Sequence, residues 1–173
     1  MNNKNKNKGF SLIEVIVVIA IMAIAVSLGV SLFSWIRTHR LTSMTETLNS
    51  TIGNTRSNTM TKSGNYELVV KKESKKIVAV ITNTTKGVEI DKATIGNEGD
   101  INVKVGGGNV SLSTTRELHI SFSKSDGSYS EIAVYDNVGN KIGDIDDNTI
   151  TVSFRNRSHS IKLVKLTGKH YIK

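Results

Sequence analysis

Residues 8–36 read KGFSLIEVIVVIAIMAIAVSLGVSLFSWI, and this stretch decides how the rest of the chain is interpreted. Val15–Ile36 is a run of 22 residues without a charged side chain. As a helix rising about 1.5 Å per residue it would extend about 33 Å, and a hydrocarbon core is about 30 Å thick. Trp35 lies at the far end, where an aromatic anchor is expected. The stretch therefore predicts a helix that crosses a membrane.

A short basic segment precedes the apolar run. Residues 1–9, MNNKNKNKG, hold three lysines and no large apolar side chain after Met1. Lysines at this end favour a leader that stays in the cytoplasm and a chain that is exported behind it. A secretory signal peptide has a shorter apolar core and a small-residue cleavage site after it, which are not found here. A plain signal anchor fits the hydropathy but leaves Glu14 unexplained, because a carboxylate in lipid normally has a partner.

Residues 8–14, KGFSLIE, resemble the type IV prepilin signal. The resemblance implies cleavage between Gly9 and Phe10 by a prepilin peptidase, which also methylates the new amino group of Phe10. It places Glu14 at the fifth position of the mature chain, where the carboxylate would pair with the N-terminal amine of a neighbouring subunit. A charge pair in apolar surroundings is strong, and a neighbour out of register leaves a charge unpaired. Glu14 is therefore expected to set the register of assembly.

The resemblance also implies a function. It predicts a structural subunit, a minor pilin or pseudopilin, that assembles through its N-terminal helix into a type IV pilus or a type II secretion-like filament. The implied partners are the prepilin peptidase/methylase, other pilins or pseudopilins, membrane lipid and the membrane platform protein of the assembly machine. The implied location is a single pass through the cytoplasmic membrane with the C-terminal domain outside, then a periplasmic or extracellular filament. Many major pilins carry a proline in this helix; this chain has none, which favours a minor subunit.

The helical pattern continues beyond the apolar run. Apolar residues recur at spacings of three, four and four, which is one stripe of a helix; they are Leu41, Met44, Leu48 and Ile52. The pair Ser63-Gly64 predicts the stop, with the helix ending near Lys62. The chain is thus divided into a cleaved leader (1–9), an apolar helix (10–36), its amphipathic continuation (37–62) and a β-rich exported domain (65–173).

From Asn65 the apolar period changes to two, which is typical of strands. The predicted strands are Tyr66–Lys72, Lys76–Thr82, Gly87–Asp91, Asp100–Val105, Asn109–Ser113, Glu117–Ser123, Ser128–Tyr135, Lys141–Ile145, Thr149–Phe154, Ser160–Leu166 and His170–Ile172. Asp126-Gly127 between two alternating runs predicts a hairpin. The expected fold is α+β: a long N-terminal helix, membrane-spanning in its first half, followed by an antiparallel β-rich pilin-like globular domain.

Two further segments resemble the H-type group of minor pseudopilins and their pilus counterparts. The chain ends in a short hairpin, Leu166–Ile172, around a Thr-Gly turn. Arg56-Ser57 occupies the place of an Ala-Arg-Ser-Glu-Ala stretch in that group.

Few residues suggest chemistry. The histidines are scattered, and no nucleophile motif or phosphate loop is present, so no enzyme activity and no cofactor are expected. Asp144, Asp146 and Asp147, with Asp136 upstream, could supply oxygen ligands for calcium, although a solvated acidic turn is the expected state. His119 is expected at a strand surface or edge.

The net charge is +8, and basic residues gather towards the C-terminus. They are Arg116, Lys124, Arg155, Arg157, Lys162, Lys165, Lys169 and Lys173. This pattern leaves open a DNA-uptake (competence) or adhesive pilin with a basic C-terminal face, against solvated strand faces or attraction to an acidic envelope. A third alternative is an unprocessed, signal-anchored surface domain.

Overall fold

In the computed structural model, the chain is α+β with antiparallel sheets, as the sequence predicts. The structure describes residues 10–97, 101–106, 110–144 and 148–173, and it describes only the backbone of residues 28–34 and 144. Helix α1 spans Leu12–Thr61. The chain divides into two compact units between Thr38 and His39. The first holds the apolar part of α1; the second holds the rest of α1 and all the strands.

The described residues form eleven strands, one for each predicted run. Their bounds are β1 Tyr66–Glu73, β2 Lys76–Asn83, β3 Val88–Asn97, β4 Asn102–Val105, β5 Val110–Ser111, β6 Arg116–Phe122, β7 Tyr129–Asp136, β8 Lys141–Asp144, β9 Thr149–Phe154, β10 Arg157–Val164 and β11 Lys169–Ile172. They form a six-stranded sheet in the order β3-β2-β1-β6-β7-β8 and a five-stranded sheet in the order β11-β10-β9-β4-β5. Every pairing is antiparallel.

Two predicted strand bounds are wrong by three residues or more. Strand β3 continues to Asn97, well past the predicted end at Asp91, and accommodates irregularities in its pairing with β2. Strand β10 begins at Arg157, three residues before the predicted start at Ser160. The turn before β10 is only two residues long, and Arg155 adopts a φ of 54° there. A non-glycine residue rarely takes this left-handed conformation, so a turn this tight has little signal in the amino-acid sequence.

One side of the second half of α1 is buried against the strands of its unit. Leu41, Leu48 and Ile52 are almost completely buried, and Met44 is partly buried against the same core. These are the four residues of the predicted stripe, which is therefore confirmed. Full burial of such side chains contributes about 1.5–3 kcal/mol each. Both sheets supply side chains to this core, including Leu118 from β6 and Ile161 from β10.

Threonines are buried along this part of the helix without leaving polar atoms unpaired. Thr45, Thr55 and Thr59 each donate a hydroxyl hydrogen bond to the carbonyl four residues earlier, at 2.8, 2.8 and 2.9 Å. A buried hydroxyl without a partner would be costly. Bonding back to the helix lets a sequence with modest helix propensity pack a threonine-rich side into the core.

Candidate functional site

The described chain begins at Phe10, immediately before a hydrogen-bonded helix start. Ser11 is the residue before α1, and its backbone N–H donates to Glu14 Oε2 at 2.8 Å. The Glu14 N–H in turn lies 3.3 Å from Ser11 Oγ, which accepts from it. Serine before a helix and glutamate three residues later, bonded reciprocally, form a capping box. The carboxylate also lies at the helix end where negative charge is favourable.

This cap gives Glu14 a hydrogen-bond partner within its own chain. The partner expected from the sequence is the N-terminal amine of a neighbouring subunit. The carboxylate already accepts a hydrogen bond from Ser11 of its own chain. The N–H that it accepts from belongs to the Phe10–Ser11 peptide bond, which a cut between Gly9 and Phe10 would leave intact. Since a carboxylate can accept several hydrogen bonds, the cap does not prevent Glu14 from binding an ammonium as well.

The described side chains from Phe10 to Val26 leave apolar surface uncovered on every side of α1. Exposed fractions range from 46% at Val15 to 85% at Phe10. Most of these side chains are more than half exposed, among them Leu12, Ile13, Ile19 and Met22. A helix that is apolar all round is normally buried, either among protein helices or in lipid. The segment therefore offers a large apolar contact surface to other molecules. Among the residues that the structure describes, no helix is both long enough and apolar enough to cross a membrane.

A second group of residues ties α1 to two turns of the β domain. Arg56 Nε donates to the Gly127 carbonyl at 2.8 Å, and Arg56 Nη2 donates to the Thr167 carbonyl at 3.2 Å. Gly127 belongs to the β6–β7 hairpin and Thr167 to the β10–β11 turn, so one guanidinium joins the helix to both sheets. We call Arg56, Gly127, Thr167 and Gly168 the arginine joint.

The glycines of the arginine joint allow its close approach. Gly127 has a φ of 68°, and a Cβ on it would lie 2.5 Å from Met60 Sδ and 2.8 Å from Arg56 Nε. Gly168 has a φ of 64°, and a Cβ on it would overlap the Gly127 carbonyl oxygen. Nearby, the Tyr129 N–H donates to the Lys165 carbonyl at 3.0 Å, which is a direct backbone link between the two sheets. Both turns were predicted from the sequence, but no role was predicted for Arg56.

The terminal strand also contacts α1 through His170. The ring of His170 lies against Gly53, where an added Cβ would be 3.4 Å from His170 Nε2. Burial and the nearby Arg56 guanidinium lower the pKa of His170, although the Gly168 and Asn49 backbone groups act against them. The neutral imidazole is therefore the form that fits this position.

His119 lies on the outer face of the six-stranded sheet, as expected, but it is not a simple solvated residue. Its Nδ1 is 3.0 Å from Glu67 Oε1, and its Nε2 is 3.6 Å from Glu117 Oε2. The ring also stacks at an angle on Tyr135, with centroids 4.5 Å apart. Burial alone would lower the pKa of His119, but the two carboxylates outweigh it and raise the pKa above its ordinary value.

Of the acidic residues suggested for calcium, only Asp136 has a described side chain. Asp146 and Asp147 lie outside the described residues, and only the backbone of Asp144 is described. The Asp136 carboxylate accepts from the Val138 N–H at 3.0 Å and from the Asn140 N–H at 2.7 Å, so it stabilises its own turn. No group of three His, Asp or Glu side chains suited to a metal ion occurs in the described ranges.

The basic residues of the C-terminal third are divided between the two sheets. Arg116 is the first residue of β6 and Lys124 follows that strand, so both belong to the six-stranded sheet. The other six lie in, beside or at the end of β9, β10 and β11 of the five-stranded sheet. Most of the basic residues noted in the sequence therefore belong to the five-stranded sheet.

A cleft of about 440 Å³ opens where β7 and β8 approach the segment before β9 and the turn after β10. Its lining includes Glu131, Lys141 and Lys165. The Glu131 carboxylate already accepts from Tyr135 Oη at 2.9 Å and from Lys141 Nζ at 3.1 Å. Both interactions hold the Glu131 carboxylate in place at this edge of the sheet.

Comparison with known proteins gives one match. A family model described as the prokaryotic N-terminal methylation motif matches residues 4–30. No curated protein and no solved structure matches the chain. The matched segment contains the Gly9–Phe10 junction, the Ser11–Glu14 cap and most of the exposed apolar helix. The match supports a type IV pilin-like protein that is processed at its N-terminus, and it favours a structural role over a catalytic one.

Proposed function

We propose that this protein is a minor pilin or pseudopilin, cut between Gly9 and Phe10, methylated at Phe10, and assembled through its N-terminal helix into a filament. The observation that carries the proposal is the methylation motif at residues 4–30 lying on a helix whose apolar side chains are uncovered. Such a surface is stable in lipid before assembly and among like helices after it. Lipid tails are as apolar as these side chains, so moving the helix from lipid into a filament gains little from the hydrophobic effect. Assembly therefore depends on close packing between the helices.

Before assembly, the apolar segment is held in the cytoplasmic membrane, and the β domain lies outside. The support is the uncharged run Val15–Ile36 in the sequence and the three lysines before it. The partners of this stage are the prepilin peptidase/methylase, lipid and the platform protein of an assembly machine. The partners of the final stage are other pilins or pseudopilins in a type IV pilus or a type II secretion-like filament.

Glu14 is proposed to act twice. In one chain it caps α1, as the hydrogen bond from Ser11 indicates. In the filament its charge pairs with the ammonium at Phe10 of a neighbouring subunit. A neighbour displaced by one helical turn would leave both charges unpaired in apolar surroundings, which costs several kcal/mol.

These two roles can be separated by substitution. Glu14→Gln keeps a capping side chain, since glutamine serves in capping boxes, but it removes the charge. Ser11→Ala removes the capping hydroxyl and leaves the charge in place. If pairing with a neighbour sets the register, Ser11→Ala enters filaments and Glu14→Gln does not. If Glu14→Gln assembles as well as the unchanged chain, the charge-pairing role is lost.

The measurement is the fraction of the protein recovered in sheared filaments, compared with the fraction left in the membrane. Both variants must first show the processed mass, so that a failure of cleavage is not mistaken for a failure of assembly. Cleavage itself is tested with Gly9→Val, which places a branched side chain next to the proposed cut. The matched control is Asn7→Val in the same leader. Loss of processing in the first variant alone is the expected result.

A further inference from the structure

The two sheets differ sharply in charge. The described strands of the five-stranded sheet contain no Asp or Glu. The six-stranded sheet has eight acidic residues in its strands: Glu67, Glu73, Glu89, Asp91, Glu117, Glu131, Asp136 and Asp144. Basic and acidic side chains both occur in that sheet, and neighbours of opposite charge form ion pairs. Glu73 pairs with Lys71 at 3.3 Å and with Lys92, and Glu131 pairs with Lys141 at 3.1 Å.

The outer face of the five-stranded sheet is built from hydroxyls and lysines. Strand alternation directs Ile150, Val152, Ile161 and Leu163 into the core, and their neighbours therefore point outward. We call part of the outward set the hydroxyl–lysine face; it comprises Lys104, Thr149, Thr151, Ser153, Ser158, Ser160, Lys162, Lys169 and Tyr171. Asn102, Ser111 and Val164 lie on the same side of the sheet.

The strand register places these side chains in rows across the sheet. Lys162 lies opposite Thr149 on one side and Tyr171 on the other. Thr151 lies opposite Ser160 and Lys104, and its hydroxyl is 3.1 Å from that of Ser160. Adjacent strands are about 4.8 Å apart and each residue adds about 3.4 Å along a strand, so Lys162 lies about 8 Å from Lys169 and about 12 Å from Lys104. They can therefore engage successive charges of an extended ligand.

The lysines of this face are not neutralised within the described residues. Lys104, Lys162 and Lys169 form no ion pair with any carboxylate described. Glu98, Asp100, Asp146 and Asp147, which flank β4 and β9 in the sequence, lie outside the described residues. These four acidic residues are outnumbered by the seven basic residues of segments 98–115 and 145–173, so the surplus stays positive.

We propose that the hydroxyl–lysine face binds a linear phosphate polymer through the charges of its backbone. Lysine ammoniums and serine or threonine hydroxyls are phosphate contacts. Among the described residues no carboxylate pairs with these lysines, so none of those carboxylates cancels their positive charge. Only Tyr171 offers an exposed ring on this face, which is too few for binding by stacked bases. Recognition is therefore independent of nucleotide sequence. This function goes beyond filament assembly and does not depend on the cut at Gly9.

The test uses the full-length chain in a neutral detergent and three polymers of similar length: inorganic polyphosphate, a DNA duplex and polyglutamate. The triple variant Lys104→Gln, Lys162→Gln, Lys169→Gln removes the lysines of the face. The matched control, Lys75→Gln, Lys76→Gln, Lys86→Gln, removes the same net charge from exposed positions at the turns of the six-stranded sheet. Circular dichroism and an unfolding midpoint establish that both variants are folded.

The expected result is binding of both phosphate polymers at low salt, weakened about tenfold or more in the face variant and little changed in the control. The salt dependence of duplex binding should also lose about 0.9 in slope for each lysine that contacts a phosphate. Equal losses in the two triple variants would show that net charge alone is responsible, and would overturn the proposal. Binding of DNA alone, equally tight binding of polyglutamate, or no binding at low salt would also overturn it.

Discussion

Arg56 Nε donates a 2.8 Å hydrogen bond to the carbonyl of Gly127, 71 residues further along the chain. A second nitrogen of the same guanidinium reaches Thr167, so the side chain joins the helix to a turn of each sheet. The planar guanidinium presents its donors in a fixed fork, which suits two carbonyls held by separate turns. One cation and two backbone oxygens therefore add to the apolar packing that holds the β domain on its own part of α1.

Arg56→Ala should destabilise the β domain by about 1–3 kcal/mol, because it leaves the partly buried Gly127 carbonyl and the exposed Thr167 carbonyl without their charged donor. Arg56→Lys should recover only part of this loss, since an ammonium cannot reproduce the fork. The measurement is the free energy of unfolding in urea. A loss below about 0.5 kcal/mol for Arg56→Ala would show that the joint is incidental.

Gly127→Ala should be more damaging than alanine at another glycine of similar backbone conformation. At Gly127 the new Cβ would meet Met60 Sδ at 2.5 Å, in addition to the strain of a φ of 68°. Gly87 has a φ of 65° and nothing within 4 Å of the Cβ site, so Gly87→Ala measures the backbone strain alone. We expect the difference between the two variants to be about 1–3 kcal/mol, as for overpacking in a core. Equal losses would mean that the joint has room to relax.

Gly53→Ala should stabilise the protein by up to about 1 kcal/mol, because alanine is the better helix residue. The new Cβ would lie 3.4 Å from His170 Nε2, which is close to ordinary contact. A thermal unfolding midpoint that rises in the Gly53→Ala variant is the expected observation. A fall would show that the His170 ring cannot yield, and would make Gly53 a packing requirement.

The two half-buried histidines should give opposite dependences of stability on pH. The pKa of His119 is raised, so its contribution is present below the ordinary value of 6.5 and is lost as pH rises through the folded-state pKa. This holds while Glu67 and Glu117 remain ionised. The pKa of His170 is lowered, so its contribution is present above 6.5 and is lost as pH falls through the folded-state pKa.

The check is the free energy of unfolding between about pH 5 and 8 for His119→Gln and His170→Gln. Relative to the unchanged protein, His119→Gln should cost most at the acidic end, where the ion pairs with Glu67 and Glu117 are formed. His170→Gln should cost least at the acidic end. At that pH the folded protein keeps the His170 ring neutral, which makes folding less favourable. Parallel curves for the two variants would contradict these assignments.

Local patterns predicted the elements well, because each element is encoded by its own residues. The spacing of Leu41, Leu48 and Ile52 predicted the buried side of α1, and the change of period at Asn65 predicted the strands. The tight turn at Arg155 was not predicted, because a left-handed arginine has no sequence signal. The end of β3 was missed because polar and small residues continue the strand along an edge of the sheet.

The candidate sites also differ in whether adjacent residues in the sequence are enough to predict them. The Gly9–Phe10 junction and Glu14 could be identified from adjacent residues, and the capping role of Glu14 could have been found from Ser11 three positions earlier. The role of Arg56 could not be predicted, because its acceptors are backbone carbonyl oxygens far away in the sequence. Every residue has such an oxygen, so the sequence does not mark the two that accept from Arg56. The charge difference between the sheets also required the strand order, since Arg116 and Lys124 seemed to belong with the other basic residues.

The proposed function requires that the chain be cut at one peptide bond, between Gly9 and Phe10. Its most direct test is the N-terminal sequence and intact mass of the protein isolated from the membrane of a cell that contains a prepilin peptidase. We predict a chain that starts at Phe10, with a methyl group on its amino nitrogen. A chain that still begins at Met1, in the presence of an active peptidase, would contradict the account.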